Sequence, residues 1–178
     1  MMGKNLKALR KQALANSSKH RRMRTAYWQW VEQGNFDYFI VLKFRDGFAI
    51  HDRQAMKLTK LFLNKLDRRF VKRGELEKHG KRLERMVFIE HGITGENTHI
   101  NLYVNNIDGL NYRQFRHAII TTWENTTLGD ADVQISDNSI AVNNYSTKEL
   151  KLNDDDDCKE IYFAEASYLG RANTGTQL

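Results

Sequence analysis

The sequence predicts an α+β fold, a two-layer sandwich in which a mainly antiparallel sheet carries its helices on one face. Short runs rich in β-branched and aromatic residues, typical of strands, are separated by longer stretches in which apolar residues recur at helical spacing. Their order is strand, helix, strand, strand, helix, strand pair, helix. This order is typical of the split βαβ arrangement.

Length and charge set the outer limits of this prediction. The chain has 178 residues, of which 40% are hydrophobic, enough for one domain with its own core. We expect a basic arm over residues 1–26 and a single domain over 27–178, with its core at about 36–150. A net charge of +6 favours a polyanionic partner. With one cysteine, Cys158, no secretory signal and no membrane-length apolar run, the expected location is cytoplasmic.

The arm is basic throughout, because no acidic residue occurs before Glu32. It is either a solvated tail or a phosphate-binding segment, and both interpretations stay open. The candidate nucleic-acid-binding residues are Lys19, Arg21, Arg22 and Arg24. The aromatic residues Tyr27, Trp28 and Trp30 follow directly, either to stack on unpaired bases or, as we favour, to dock a helix on the core.

The first strand is predicted at Tyr38 to Phe44, which reads YFIVLKF. Asp52 is the predicted N-cap of a helix that runs to about Val71. Apolar residues at helical spacing would lay one stripe of this helix on the sheet: Ala55, Leu58, Phe62, Leu66 and Phe70. Residues 72–84, with two glycines and many charges, are predicted to form an exposed loop.

A β-hairpin is predicted next, with residues 86–89 and 100–104 as strands around a turn at 92–97. Because side chains alternate along a strand, Ile100, Leu102 and Val104 share the core face. His99, Asn101 and Tyr103 share the other face, which is expected to look outward. Glu90 joins them if it pairs with His99, whereas a slip of one residue brings His91 there instead. The sequence leaves this register open.

The second half continues the pattern. Asn111 and Gln114 predict a capping box, and Tyr112, Phe115, Ile119 and Trp123 form the apolar stripe of the helix that follows. Residues 133–135 and 140–142 predict a short hairpin. Asn143 or Asn144 is expected to cap a third helix, on which Tyr145 and Lys148 share one face. Residues 161–164 are expected to return as an edge strand.

One group of side chains suits a divalent cation. Glu90, His99 and Asn101 offer a carboxylate, an imidazole and an amide oxygen. Ligands this rich in oxygen suit Mg²⁺ or Mn²⁺ better than Zn²⁺. Tyr145 is a candidate nucleophile, since a metal or a base can activate a tyrosine. Lys148 is a candidate for neutralising charge on a phosphate under attack.

Three segments together resemble the HUH-superfamily rolling-circle replication initiators of small plasmids and filamentous phages. FDYFIVLKFRDG is similar to their first strand motif, and VFIEHGITGENTHINLYV to their metal motif, in which two histidines flank one apolar residue. NNYSTKEL is similar to their tyrosine motif, Y-x-x-K on a helix. The resemblance covers roughly residues 36–150.

The resemblance implies a ferredoxin-like or RRM-like HUH fold and a site-specific single-strand DNA endonuclease that also rejoins strands. A divalent metal would polarise a phosphate of single-stranded origin DNA. Tyr145 would attack it, leaving a 5′-phosphotyrosine link and a 3′-hydroxyl that primes synthesis. Lys148 would assist, and His99 would bind the metal, with Glu90 as a possible third ligand. Because the chain ends before a helicase domain, a host helicase and polymerase are the expected partners.

One position departs from the family pattern, because Asn101 stands where the second histidine is expected. Viral members of the superfamily with glutamine there are active, and an amide oxygen suits Mg²⁺ or Mn²⁺. Two alternatives stay open. In the first alternative, the chain is a non-catalytic module that binds single-stranded nucleic acid. It would be either a decayed copy of the nuclease or an RRM-like domain that stacks bases on Phe88 and Tyr103. Otherwise it is a nuclease of the relaxase or transposase type.

Overall fold

The computed structural model describes residues 25–26, 29–47, 49–91, 97–136, 160–162 and 166–168, with backbone only for 160–162. The described strands are β1 (Tyr38–Lys43), β2 (Arg85–Glu90), β3 (His99–Val104), β4 (Ala131–Ile135) and β5 (Glu160–Tyr162). They form one sheet in the order β4-β1-β3-β2-β5, and every pairing is antiparallel. The predicted return of the chain at 161–164 is therefore confirmed for residues 161–162, on the outer edge of β2.

The connections between strands give the split βαβ order. Strands β1 and β2 run in the same direction with β3 between them, and α1 (Asp52–Phe70) and the short α2 (Arg73–His79) lie in the connection that joins them. In the same way β3 and β4 run in one direction with β1 between them, joined by α3 (Tyr112–Thr127). The predicted α+β two-layer sandwich with an antiparallel sheet is confirmed.

The helix ends follow local chemistry. At α3 the Asn111 side chain accepts from the Gln114 backbone N–H and the Gln114 side chain accepts from the Asn111 N–H, both at 3.0 Å, so the predicted capping box is present. At α1 the N-cap is His51, which makes no side-chain cap. Asp52, predicted as the cap, lies instead in the first turn, where its negative charge is attracted to the positive end of the helix dipole.

The prediction of a loop over residues 72–84 is wrong for the stretch that forms α2. This helix buries no side chain, so it has no apolar stripe for a periodicity argument to find. Arg73 Nε donates to Glu77 Oε1 at 2.7 Å, an i,i+4 pair that supports an exposed helix. Gly80 ends it in the left-handed conformation, with φ of 63°.

The main core lies between α1, α3 and one face of the sheet. Ile100, Leu102 and Val104 point into it as predicted, and the rings of Phe62 and Trp123 meet edge to face at 5.2 Å. Each fully buried side chain of this size contributes about 1.5–3 kcal/mol of hydrophobic stabilisation. Burial raises the pKa of the Tyr38 phenol, and the neighbouring Asp37 carboxylate and Tyr112 raise that pKa further. This core ring therefore stays uncharged at neutral pH.

The second face of the sheet is not open along its length, contrary to the prediction. A second apolar cluster covers part of it, and Trp30 from the helical residues 29–34 packs against this cluster. The docking interpretation is thus confirmed for Trp30. The buried members of this second cluster are Val31, Phe36, Phe39, Met86, Phe88 and Tyr103. β1 and β2 carry apolar residues on both faces, so each face must be covered by another segment of the chain. The alternation along the strands did not predict that second covering segment.

Several predicted features lie outside the described residues. They are the arm over residues 1–24, Tyr27 and Trp28, the strand at 140–142, the helix expected to carry Tyr145 and Lys148, and Cys158. Predictions about them stay predictions.

Gly129 lies where the end of α3 meets the end of β1, and it leaves no room for a side chain. A Cβ there would lie 2.0 Å from the Lys43 carbonyl oxygen and 3.1 Å from the Arg45 nitrogen, both backbone atoms. We expect Gly129→Ala to lower the free energy of unfolding, measured with urea, by about 1–3 kcal/mol through overpacking. Gly74→Ala is the control, because a Cβ in α2 meets nothing within 4 Å. Equal losses in the two variants would contradict the packing argument.

Candidate functional site

The register of the β2–β3 hairpin brings two of the predicted metal ligands together. Glu90 pairs directly with His99, and Phe88 pairs with Asn101. The open question of register is thereby answered, because the slipped pairing with His91 does not occur. His91 Nε2 instead lies 2.5 Å from Asp52 Oδ1, in the first turn of α1.

One oxygen of Glu90 is the centre of this group. Asn101 Nδ2 donates to Glu90 Oε2 at 2.5 Å, and His99 Nε2 lies 3.1 Å from the same oxygen. His99 Nδ1 lies 3.0 Å from the backbone oxygen of Asn97. Because a carbonyl only accepts, Nδ1 carries a proton. Nε2 then meets Glu90 either as the second N–H of an imidazolium or as a lone pair directed at a cation that both groups bind.

Burial makes the group open at one end only. The Glu90 and Asn101 residues are 3% and 2% exposed, whereas 16% of the His99 side chain is exposed. The prediction that Asn101 looks outward is therefore wrong. A ligand from solvent would reach His99 before it reached Glu90.

The His99–Glu90 geometry fits a small divalent cation. Two ligands at right angles on an octahedral Mg²⁺ or Mn²⁺ ion, each bonded at about 2.1 Å, lie about 3.0 Å apart. The observed separation of Nε2 and Oε2 is 3.1 Å, a distance that a hydrogen bond from an imidazolium to the carboxylate also gives. A hydrogen bond from the other ring nitrogen to a carbonyl is also the usual way in which proteins orient a metal-binding histidine.

Asn101 does not present its amide oxygen to the site as a metal ligand would. Its amide nitrogen faces Glu90, so in this conformation it orients the carboxylate. Across the described ranges, no three side chains drawn from His, Cys, Asp and Glu gather as a metal site. Among the described side chains, His99 and Glu90 are the two that would bind a cation here, and water or other groups would complete its shell.

Tyr145 and Lys148, and the arm residues Lys19, Arg21, Arg22 and Arg24, all lie outside the described residues. Their predicted roles stay predictions.

The structure adds Lys43 to this group, a residue that no sequence motif marks. Lys43 ends β1 and pairs directly with His99 on the neighbouring strand. Residues paired across antiparallel strands share a face, so Lys43, His99 and Glu90 form one row across the sheet. The alternation along β1 places Lys43 on the same face as Phe39 and Val41. Only the pairing of β1 with β3 shows that this face is also the face of His99.

Phe88 and Tyr103 are not available as a base-stacking platform. They are 4% and 2% exposed, and their rings meet edge to face at 6.2 Å inside the second apolar cluster. The burial of both rings contradicts the RRM-like alternative in which they would stack on bases.

A pocket of about 390 Å³ lies on the other side of the sheet, beside α1. It is separate from the His99 group, because the α1 residues that line it belong to the helix layer. Its lining residues are Lys60, Leu63, Asn64, Gly80, Arg82, Arg85, Ala166, Ser167 and Tyr168.

Comparisons with known proteins identify no relative of this chain. No protein-family model matches the chain, and no curated protein or solved structure matches it. Within the part of the chain that the structure describes, no helix is long and apolar enough to cross a membrane.

Proposed function

We propose that this protein is a divalent-metal-dependent enzyme that cuts and rejoins single-stranded DNA by tyrosine attack, in the manner of a rolling-circle replication initiator. The observation that carries the proposal is the 3.1 Å approach of His99 Nε2 to Glu90 Oε2 on paired strands of a split βαβ sheet. The ordered likeness of the three sequence segments to HUH initiators supports it.

The described residues would act as follows. His99 and Glu90 would hold Mg²⁺ or Mn²⁺, which when bound supplies positive charge that polarises a phosphate. The Asn97 carbonyl fixes the tautomer of His99, and the Asn101 amide holds the Glu90 carboxylate. Both contacts come from the hairpin itself, so the two ligands would be preorganised before the metal arrives.

The chemical step belongs to Tyr145 in this proposal. Its phenol oxygen forms a bond to phosphorus as the bond to the 3′ oxygen breaks. The phenol proton passes to solvent water, and the departing 3′ oxygen takes up a proton from solvent water to become the hydroxyl. Lys148 neutralises part of the charge on the phosphate. Attack by the 3′-hydroxyl on the phosphotyrosine reverses the step and rejoins the strand.

The binding-only alternative has less support from the geometry. Its RRM-like form requires exposed aromatic rings, and Phe88 and Tyr103 are buried. A nuclease of the relaxase or transposase type would use the same residues. Its DNA substrate would distinguish it from an initiator.

Tyr145→Phe is expected to abolish covalent attachment to single-stranded DNA while binding persists, because the variant lacks only the attacking oxygen. The assay incubates protein, Mn²⁺ and a 3′-end-labelled random pool of single-stranded oligonucleotides, because the fragment that stays on the tyrosine carries the 3′ end, then resolves the label that stays on denatured protein. Tyr168→Phe is the control, since this tyrosine lines the pocket beside α1. Attachment that persists in the Tyr145 variant would remove that residue from the mechanism.

A further inference from the structure

Lys43 is an exposed cation at the open end of the proposed site. It pairs with His99 and is exposed to solvent, whereas Glu90, two strands away, is buried. Adjacent strands lie about 4.8 Å apart, so the row from Lys43 to Glu90 spans two such steps. A ligand bound at His99 therefore lies about one strand spacing from Lys43.

The backbone of Lys43 is held on both sides. Its N–H donates to the Asp130 carbonyl at 2.8 Å, and its own carbonyl accepts from Trp123 Nε1 at 2.9 Å. Gly129 packs against the same carbonyl, with no room for a side chain. Trp123 is itself fully buried, at 0% exposed. The origin of the Lys43 side chain is thus fixed relative to His99 while its ammonium stays in solvent.

Neither protection of a sheet edge nor a described ion pair accounts for Lys43 on β1. Lysine often protects an exposed sheet edge, but β1 lies between β4 and β3. Among the described residues Lys43 forms no ion pair or side-chain hydrogen bond.

We infer that Lys43 binds a backbone phosphate of the DNA strand directly beside the His99–Glu90 pair. The inference rests on the proposed function for its substrate class and adds the residue that receives the strand. The phosphate would lie over the ends of β1 and β3, with Lys43 on one side and the cation held by His99 and Glu90 on the other. A lysine contact of this kind adds affinity and orientation without base specificity.

The test measures affinity for oligo(dT) at several salt concentrations, in the presence of a metal chelator so that no cleavage occurs. Losing one phosphate contact lowers the slope of log affinity against log salt by about 0.7 on a single strand. We expect this decrease for Lys43→Gln and a retained slope for Lys43→Arg. Lys57→Gln, on the exposed side of α1, is the matched control and should keep the wild-type slope.

Three results would overturn the inference: a wild-type slope in Lys43→Gln, an equal decrease in Lys57→Gln, or no binding of oligo(dT) by the wild-type protein. Misfolding is checked by urea denaturation, because an exposed substitution should change stability by less than about 0.5 kcal/mol. Failure of the proposed chemistry has a separate sign. If the proposed chemistry fails, the wild-type protein forms no covalent adduct with the random pool. This result does not depend on the salt dependence of oligo(dT) affinity in Lys43→Gln.

Discussion

Glu90→Gln is expected to weaken Mn²⁺ binding by at least about 100-fold, since even partners that only orient a ligand are worth 10–100-fold. The glutamine keeps the shape of the side chain and can still accept one hydrogen bond from Asn101. It lacks the charge that would hold the cation and places an N–H₂ group near His99 Nε2 or Asn101 Nδ2. Covalent attachment to DNA should disappear with the metal. Titration of free Mn²⁺ by electron paramagnetic resonance measures the loss directly.

Glu84→Gln provides the matched control for Glu90→Gln. Glu84 precedes β2, is half-buried, and its Oε2 accepts from the Asn105 amide at 3.0 Å. The same substitution there removes a carboxylate bonded to an asparagine but far along β2 from His99. Its Mn²⁺ affinity should equal that of the wild-type protein. Wild-type Mn²⁺ affinity in Glu90→Gln, or a wild-type protein that binds no Mn²⁺, would contradict the proposed metal pair.

Glu90→Gln should remain folded, which keeps the metal measurement meaningful. The buried carboxylate accepts a hydrogen bond from Asn101 Nδ2, and losing such a bond to a charged group costs about 1.5–3 kcal/mol. Domains of this size have a free energy of unfolding of about 5–15 kcal/mol. A urea titration of each variant confirms that lost metal binding is not lost folding.

Local patterns predicted the parts of the fold that depend on neighbouring residues. The capping box at Asn111 and the apolar stripe ending at Trp123 are encoded within a few turns of one helix, and both are present. The pairing of Glu90 with His99 was predicted as one of two registers. Choosing between them required the packing of the core face, where a slip would have turned Ile100 to the opposite side.

Contacts between distant segments account for what the sequence did not show. Asn101 is buried on a face where Trp30 and Phe36 pack, and this cover comes from a segment more than 60 positions away. Lys43 meets His99 across 56 positions, so its place in the site appears only once β1 and β3 are paired. Strand alternation assigns a residue to a face, but it does not say which distant segment covers that face.

Asp67→Leu is expected to lower the free energy of unfolding by about 3–5 kcal/mol, because it leaves a buried guanidinium without its carboxylate. Asp67 is 0% exposed, and its two oxygens accept from Arg85 Nη1 at 2.6 Å and Nη2 at 3.0 Å. The Leu83 N–H also donates to Asp67 Oδ1, at 3.0 Å. The pair ties α1 to the start of β2, the strand that ends at Glu90.

A double variant separates the cost of an unpaired charge from the cost of lost packing. Combining Asp67→Leu with Arg85→Met should recover at least about half of the loss, since the uncompensated charge is then absent. Full recovery is not expected, because Arg85 Nε also donates to the Ala166 carbonyl at 2.9 Å and helps hold residues 166–168 on β2.

Glu77→Gln is the exposed counterpart of this experiment. Arg73 and Glu77 approach to 2.7 Å, but their side chains are 88% and 58% exposed. Water replaces the lost partner there, so the loss should stay below about 0.5 kcal/mol. A double variant no more stable than Asp67→Leu alone would show that the buried charge is not the cause. A similar loss in Asp67→Leu and Glu77→Gln would contradict the role assigned to burial.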